Sequence, residues 1–383
     1  VPPASRHLRP RDGGAQATTT LELFFDLVYV FAVTQLSHLL IDDLTWSGAA
    51  RTGFLLLIVW WAWIYTTWLV NWFDPASIAV RLVLLGAMLA SLLMSIAIPG
   101  AFADEAMLFA FSYVGLQVGR NVAGMVLLDR DAALRRSFER IVAWSLVTSV
   151  PWIAGALVPA GGGRWALWGL ALGLDLVAPL VGYATPRLGR SGTADWPVEG
   201  SHFAERFQAF IIIALGESIV VAGATASAAG LDRGTVTGLV LAFLQTATLW
   251  WLYFGEIAER AARRIAESED PGALARDAFT YLHLPIVAGI IVAAVGDELV
   301  ILHPGGHPHP AEVLVLIGGP AIYLIGESLV RLRMAGSHSR RRLVTVAALA
   351  VLAAPATAMP IVATYTLVTA VLIGLAAWEH GRV

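Results

Sequence analysis

The sequence predicts an all-α polytopic membrane protein with about twelve transmembrane helices. Composition is the first observation: 57% of the 383 residues are hydrophobic, 14% are charged and the mean hydropathy is +0.71. A soluble domain carries roughly 25% charged residues, so a soluble multidomain enzyme, a disordered chain and a broad basic nucleic-acid face are all excluded. The second observation is a series of apolar runs near 20 residues, the length that crosses a hydrocarbon core of about 30 Å as a helix. The third is the placement of the basic residues, every one of which is Arg. No cysteine is present, which excludes a disulfide framework, a thiolate metal site and a cysteine nucleophile.

In chain order the first six spans are Leu21–Ile41, Thr52–Trp72, Ile78–Pro99, Ala106–Leu128, Ile141–Val158 and Trp165–Tyr183. The second six are His202–Ala222, Val236–Gly255, Thr280–Val300, Ala311–Arg331, Leu343–Ala358 and Ile361–Trp378. Each reads as helix, because lipid offers no hydrogen-bond partners to an open strand edge. Pro355 and Pro360 leave two readings of the last pair: two short helices or one long kinked one. The segment after Arg6, Arg9 and Arg11 is too long for a leader's apolar core and carries Glu22 and Asp26, so a cleavable signal is not expected.

Orientation follows from the Arg distribution. With a cytoplasmic N-terminus, 20 of 25 Arg fall on the inside and only Arg51, Arg164 and Arg233 on the outside. That asymmetry is a positive-inside signal and places both termini in the cytoplasm. The chain then divides into a tail (1–20), a first six-helix half (21–185), a cytoplasmic linker (186–201), a second half (202–378) and a short C-terminal tail (379–383). The halves show ordered matches: Phe25–Gln35 with Phe207–Glu217, Trp60-Trp61 with Trp250-Trp251, Gly86 with Gly289, Leu116–Asn121 with Tyr323–Ser328 and Pro151 with Pro355. Six spans per half imply a parallel repeat about the membrane normal, a habit of transporters.

Ionisable residues inside spans are costly and mark the interior of a bundle. The first span holds Glu22 and Asp26 at i, i+4, followed by Gln35, Ser37 and His38. The seventh opens with His202, Glu205 and Arg206 on one face, with Glu217 three turns further along. Arg120 lies in the fourth span, Asp175 near the middle of the sixth, His283 in the ninth and Glu327 in the tenth; Glu256 ends the eighth. Together they suggest a polar cavity on the cytoplasmic side, with Arg120 or Arg206 paired to carboxylates. Interhelical ion pairing that only fixes packing is the bland reading, and charges at span ends also snorkel. Glu217 and Asp175 are too deep for that.

Other patterns carry less. His202-x-x-Glu205 lacks the further Glu and second Glu-x-x-His that a dimetal carboxylate site needs. The His303, His307 and His309 loop is Pro/Gly-rich and reads as an exposed turn. Gly161–Gly163 has no strand or helix context for a phosphate loop. No metal and no cofactor are expected.

The stretch Glu22-Leu-Phe-Phe-Asp26-Leu-Val-Tyr-Val-Phe-Ala-Val-Thr-Gln35-Leu-Ser resembles the opening signature of the bacterial low temperature requirement protein A family. Glu205-Arg206-Phe-Gln-Ala-Phe-Ile-Ile-Ile-Ala-Leu-Gly216-Glu217-Ser218 resembles its second signature, with Gln208 where a small or apolar residue is expected. With Trp60-Trp61 and Trp250-Trp251-Leu-Tyr253-Phe, the likeness spans most of the chain. It implies a multi-pass bacterial inner-membrane protein and a growth phenotype in the cold, but no activity, cofactor or catalytic residue. The leading functional expectation is a secondary transporter or ion-coupled permease for a small solute or ion, surrounded by membrane lipids. The competing expectations are a membrane-embedded enzyme acting on a lipid or isoprenoid through Glu22, Asp26 and Glu205, and a structural or homeostatic membrane protein. No nucleophile or metal constellation supports the enzyme.

Overall fold

The computed structural model describes residues 6–10, 16–128, 132–196, 198–266 and 268–380. Among them are twelve long helices and no strand beyond isolated bridges. They are α1 (Thr20–Asp42), α2 (Trp46–Trp72), α3 (Ile78–Ile96), α4 (Ala106–Leu127), α5 (Ala132–Leu157) and α6 (Gly162–Val177). The rest are α7 (Gly200–Ala229), α8 (Arg233–Ala266), α9 (Leu284–Leu302), α10 (Pro310–Ala335), α11 (Arg340–Ala356) and α12 (Ile361–His380). Nine of the described helical segments are long and apolar enough to cross a bilayer. The helices α4, α6 and α11 are the others.

Boundaries at the sixth, eighth and ninth spans differ from the sequence reading. The sixth helix stops at Val177, because the chain turns through Gly182 and Tyr183 at positive φ and Ser191 N donates to Gly182 O. A side chain at Gly182 would meet Ser191 O at 2.2 Å, so this turn needs glycine twice over. The eighth helix runs on to Ala266. Ahead of α9, the chain forms a helical turn at Pro271–Leu274 and a π-helical stretch at Ala275–Tyr281. Residues 357–360 break the last pair into two helices, Pro360 ending one backbone ladder before Ile361 starts the next.

Helix ends are chemically specified. At α10, Pro310 takes the first helical position, Glu312 Oε2 accepts from His309 N at 2.8 Å, and Gly336 closes the helix in the left-handed conformation. Arg164, counted in an outer loop from sequence, is buried and donates to Gly155 O, Val158 O and Ala103 O, capping the end of α5.

Two compact units emerge. The first comprises Val1–Gln35, Leu57–Arg206 and Ile265–Ala275; the second comprises Leu36–Leu56, Phe207–Arg264 and Arg276–Val383. The first is rich in buried aromatics: Trp60, Trp61, Trp63, Trp152 and Trp168 are all inside. In the second, α9 and α10 pack backbone to backbone. A Cβ at Gly289, Gly319 or Gly326 would lie 2.4 to 2.7 Å from the neighbouring helix's backbone nitrogen, the small-residue contact typical of helices in lipid. The aligned tryptophans differ in setting: Trp60 and Trp61 are buried, Trp250 and Trp251 half-exposed.

Candidate functional site

In the first unit the two signatures meet. The chain before α1 bridges to the end of α2, Arg9 N donating to Trp72 O and Asp74 N to His7 O. This places the Arg9 guanidinium on Glu22 Oε1 at 2.8 Å, where His202 Nε2 also lies at 2.7 Å. Thr19 N and Oγ1 both donate to Glu22 Oε2 at 2.7 Å. Asn71 Nδ2 donates to His202 Nδ1, so a neutral imidazole gives its one proton from Nε2 to Glu22. One turn up α1, Asp26 takes a bidentate pair from Arg206 at 2.6 and 2.7 Å and a third bond from Trp63 Nε1 at 2.8 Å. Arg206 also donates to Glu22 O and lies over the Trp63 ring. Glu22, Asp26, Trp63, Asn71, His202 and Arg206 are buried, Arg9 and Thr19 partly so, and every oxygen of both carboxylates has a fixed donor. The arrangement clamps α1 to the start of α7.

Glu205 does not join this set. It is exposed and accepts from Thr18 N, because the i, i+4 spacing that buries His202 and Arg206 turns residue 205 outward.

Of the two arginines expected beside carboxylates, Arg206 is paired with one, whereas Arg120 is buried with no carboxylate in ion-pair range among the described residues. Its donors go to Ala62 O, Thr66 Oγ1, Gln117 Oε1 and Asn121 Oδ1, and it lies over Tyr65. Gln117 Nε2 donates to Tyr113 OH, which donates to Asp175 Oδ2 at 3.0 Å; Trp152 Nε1 joins at 3.1 Å. Residues 113, 117 and 120 share a face of α4, so a polar chain runs from Arg120 to Asp175. Asp175 sits in the last turn of α6, not at mid-span, because that helix ends early. A carboxylate there opposes the helix dipole, and hydroxyl and indole donors hold it.

The second unit holds a different arrangement. His283 is buried beneath Phe279 and Phe207. Its Nδ1 donates to Ala278 O inside the π-helical stretch and its Nε2 accepts from Tyr253 OH, so both ring nitrogens serve structure. Glu327 pairs with Arg342 at 2.6 Å, and Arg342 also grips Glu379. Asp297, 3% exposed, accepts from Tyr365 OH and from Thr246, and lies in the electrostatic field of Glu217, itself 1% exposed.

Sequence reasoning passed over Asp297, Arg342 and Arg9. Asp297 had a signal, an acid inside the apolar run Ile286–Ile301. Arg342 was hidden in the run Arg340–Arg342, read as interfacial, and Arg9 in the tail. The side chain of Glu256 lies outside the described residues, as do Arg11, Arg130 and Arg382. His303 and His309 serve their loop and helix cap; among the described residues no three His, Asp or Glu side chains gather as metal ligands.

Long apolar helices with ionisable groups drawn inward define a multi-pass, all-helical membrane protein. The chain belongs to the family described as bacterial low temperature requirement A protein (LtrA), whose sequence profile matches residues 17–377. It is 36% identical over 368 residues to an uncharacterized protein, RA0937, of Rhizobium meliloti (strain 1021), covering 94% of this chain and 88% of that one. No solved structure matches it.

Proposed function

We propose that this protein is a proton- or cation-coupled secondary transporter for a small solute, with Glu217 and Asp297 as its ion-carrying pair. The observation that carries this is the contrast between Asp297 of the second unit and the clamp of the first. Glu22 and Asp26 each face a guanidinium, that of Arg9 and that of Arg206, whereas Asp297 is held by two hydroxyls within the field of another carboxylate. Two carboxylates in one low-dielectric field form a seat for a transferable proton or a cation, since a second negative charge there costs more than the first. In this reading twelve helices cross the bilayer in two parallel halves, 21–185 and 202–378, and both termini are cytoplasmic. The capping role of Arg164 supports it, removing one of three Arg from the outer side.

The test is reconstitution into proteoliposomes carrying an internal pH dye, with panels of amino acids, sugars and organic cations added outside. A solute that moves protons through the intact protein should move none through Asp297→Asn or Glu217→Gln. Unchanged flux in both variants refutes the assignment.

A further inference from the structure

We infer that a groove between α3 and α4 is a binding site for an anionic phospholipid, its head group taken by Arg120 and an acyl chain laid along the glycines beside it. The groove has a volume of about 290 Å³ and is lined by Leu82, Gly86, Ala90, Gly115, Gly119 and Arg120. It opens among exposed apolar side chains, Leu85 and Leu89 included, so its mouth faces the hydrocarbon chains of the bilayer.

The glycines and the arginine point to an occupant independently. At Gly86, Gly115 and Gly119 an added Cβ would meet no atom within 4 Å, although all three lie inside helices. At Gly289, Gly319 and Gly326 of the second unit the same Cβ would strike a neighbouring backbone. Glycine weakens a helix interior relative to alanine, and in α3 and α4 no helix–helix contact repays it. What these glycines provide is open space along the groove.

Arg120 gives the space a sign. It is 3% exposed and lines the groove. A guanidinium has five N–H donors; among the described residues four bonds leave it, all to neutral acceptors. One Nη2 hydrogen remains for a ligand. Asp175 is connected through Gln117 and Tyr113, and among the described residues no carboxylate touches the charge. Arg120 lies seven residues from the end of α4, about 10 Å along the helix. Arginine at such depth draws head groups and water inward by local thinning of the bilayer. Phosphate is the anion whose oxygens suit its planar fork.

The experiment compares purified protein in nanodiscs of mixed phosphatidylglycerol and phosphatidylcholine, with retained lipid counted by native mass spectrometry. The intact protein should retain phosphatidylglycerol preferentially. Arg120→Gln should lower that preference about tenfold, the loss of one charge-assisted contact. Gly119→Leu should lower it similarly while leaving thermal stability in pure phosphatidylcholine unchanged, because its side chain enters empty space. That variant keeps the test decisive if Arg120→Gln does not fold. A preference unchanged in Gly119→Leu means annular lipid only and overturns the site. Equal protection by inorganic phosphate alone assigns Arg120 to a free anion and overturns the lipid.

Discussion

Asp26→Asn tests the clamp of the first unit most directly. The substitution keeps the volume of the side chain and its acceptor for Trp63, but leaves the Arg206 guanidinium fully buried without a counter-charge. The two N–H···O bonds it weakens are 2.6 and 2.7 Å long, in charge-assisted, bidentate geometry. Breaking a buried pair from one side costs about 3–5 kcal/mol. Trp63→Phe removes one hydrogen bond to a charged group and should cost about 1.5–3 kcal/mol. The double variant Asp26→Leu/Arg206→Met removes both charges at similar volume and should be milder than either single charge removal, since an apolar replacement of a whole pair is often neutral. The assay is reversible unfolding in mixed SDS micelles followed by tryptophan fluorescence. A clamp predicts a coupling energy between residues 26 and 206 above about 2 kcal/mol; a value within the 0.3–0.5 kcal/mol scatter of independent sites refutes it.

Arg342→Gln should destabilise the second unit by about 3–5 kcal/mol, because Glu327 and Glu379 both lose their cation; the same micelle titration measures it. Gly289→Ala should cost about 1–3 kcal/mol by overpacking against Tyr323 N, whereas Gly86→Ala, with open space ahead of it, should be neutral or stabilising by up to about 1 kcal/mol. Asp232 caps α8 by accepting from Thr235 N at 2.8 Å, and this bond holds its carboxyl below the usual range. The cap is therefore complete above the unfolded carboxylate pKa and is lost as pH falls through the lowered value. Amide exchange at Thr235, corrected for intrinsic rate, should quicken on acidification in the intact protein and stay flat in Asp232→Asn.

Much of the fold was legible because its signals are local. Apolar length reports a span from any 20-residue window, and the 22/26 and 202/206 spacings put both signature pairs on helix faces. The joining of Asp26 to Arg206 depends on 180 residues of intervening chain, and no periodicity encodes a partner at that separation. Arg9 was illegible for a different reason. Its position follows from a bridge between the N-terminal segment and residues 72–74, which resembles a loose tail in sequence. Asp175 was misplaced because composition carries Trp165–Tyr183 as one apolar run, whereas positive-φ geometry at Gly182 and Tyr183 folds its last third into a turn.

What separates a lock from a working site among these buried charges is how completely each is satisfied. Transport requires a group whose binding free energy differs between two conformations of the protein. Glu22 is held by four donors and Asp26 by three, from α2, α7 and the N-terminal segment. Releasing either would expose a buried guanidinium at a cost of about 3–5 kcal/mol, so these residues favour one arrangement and resist the second. Asp297 faces hydroxyls, which both donate and accept and can follow a carboxyl through protonation by rotating. The signature acids that are most conspicuous in the sequence are thus suited to holding helices together. In the transport reading proposed above, the acid hidden in the most apolar helix carries the ion.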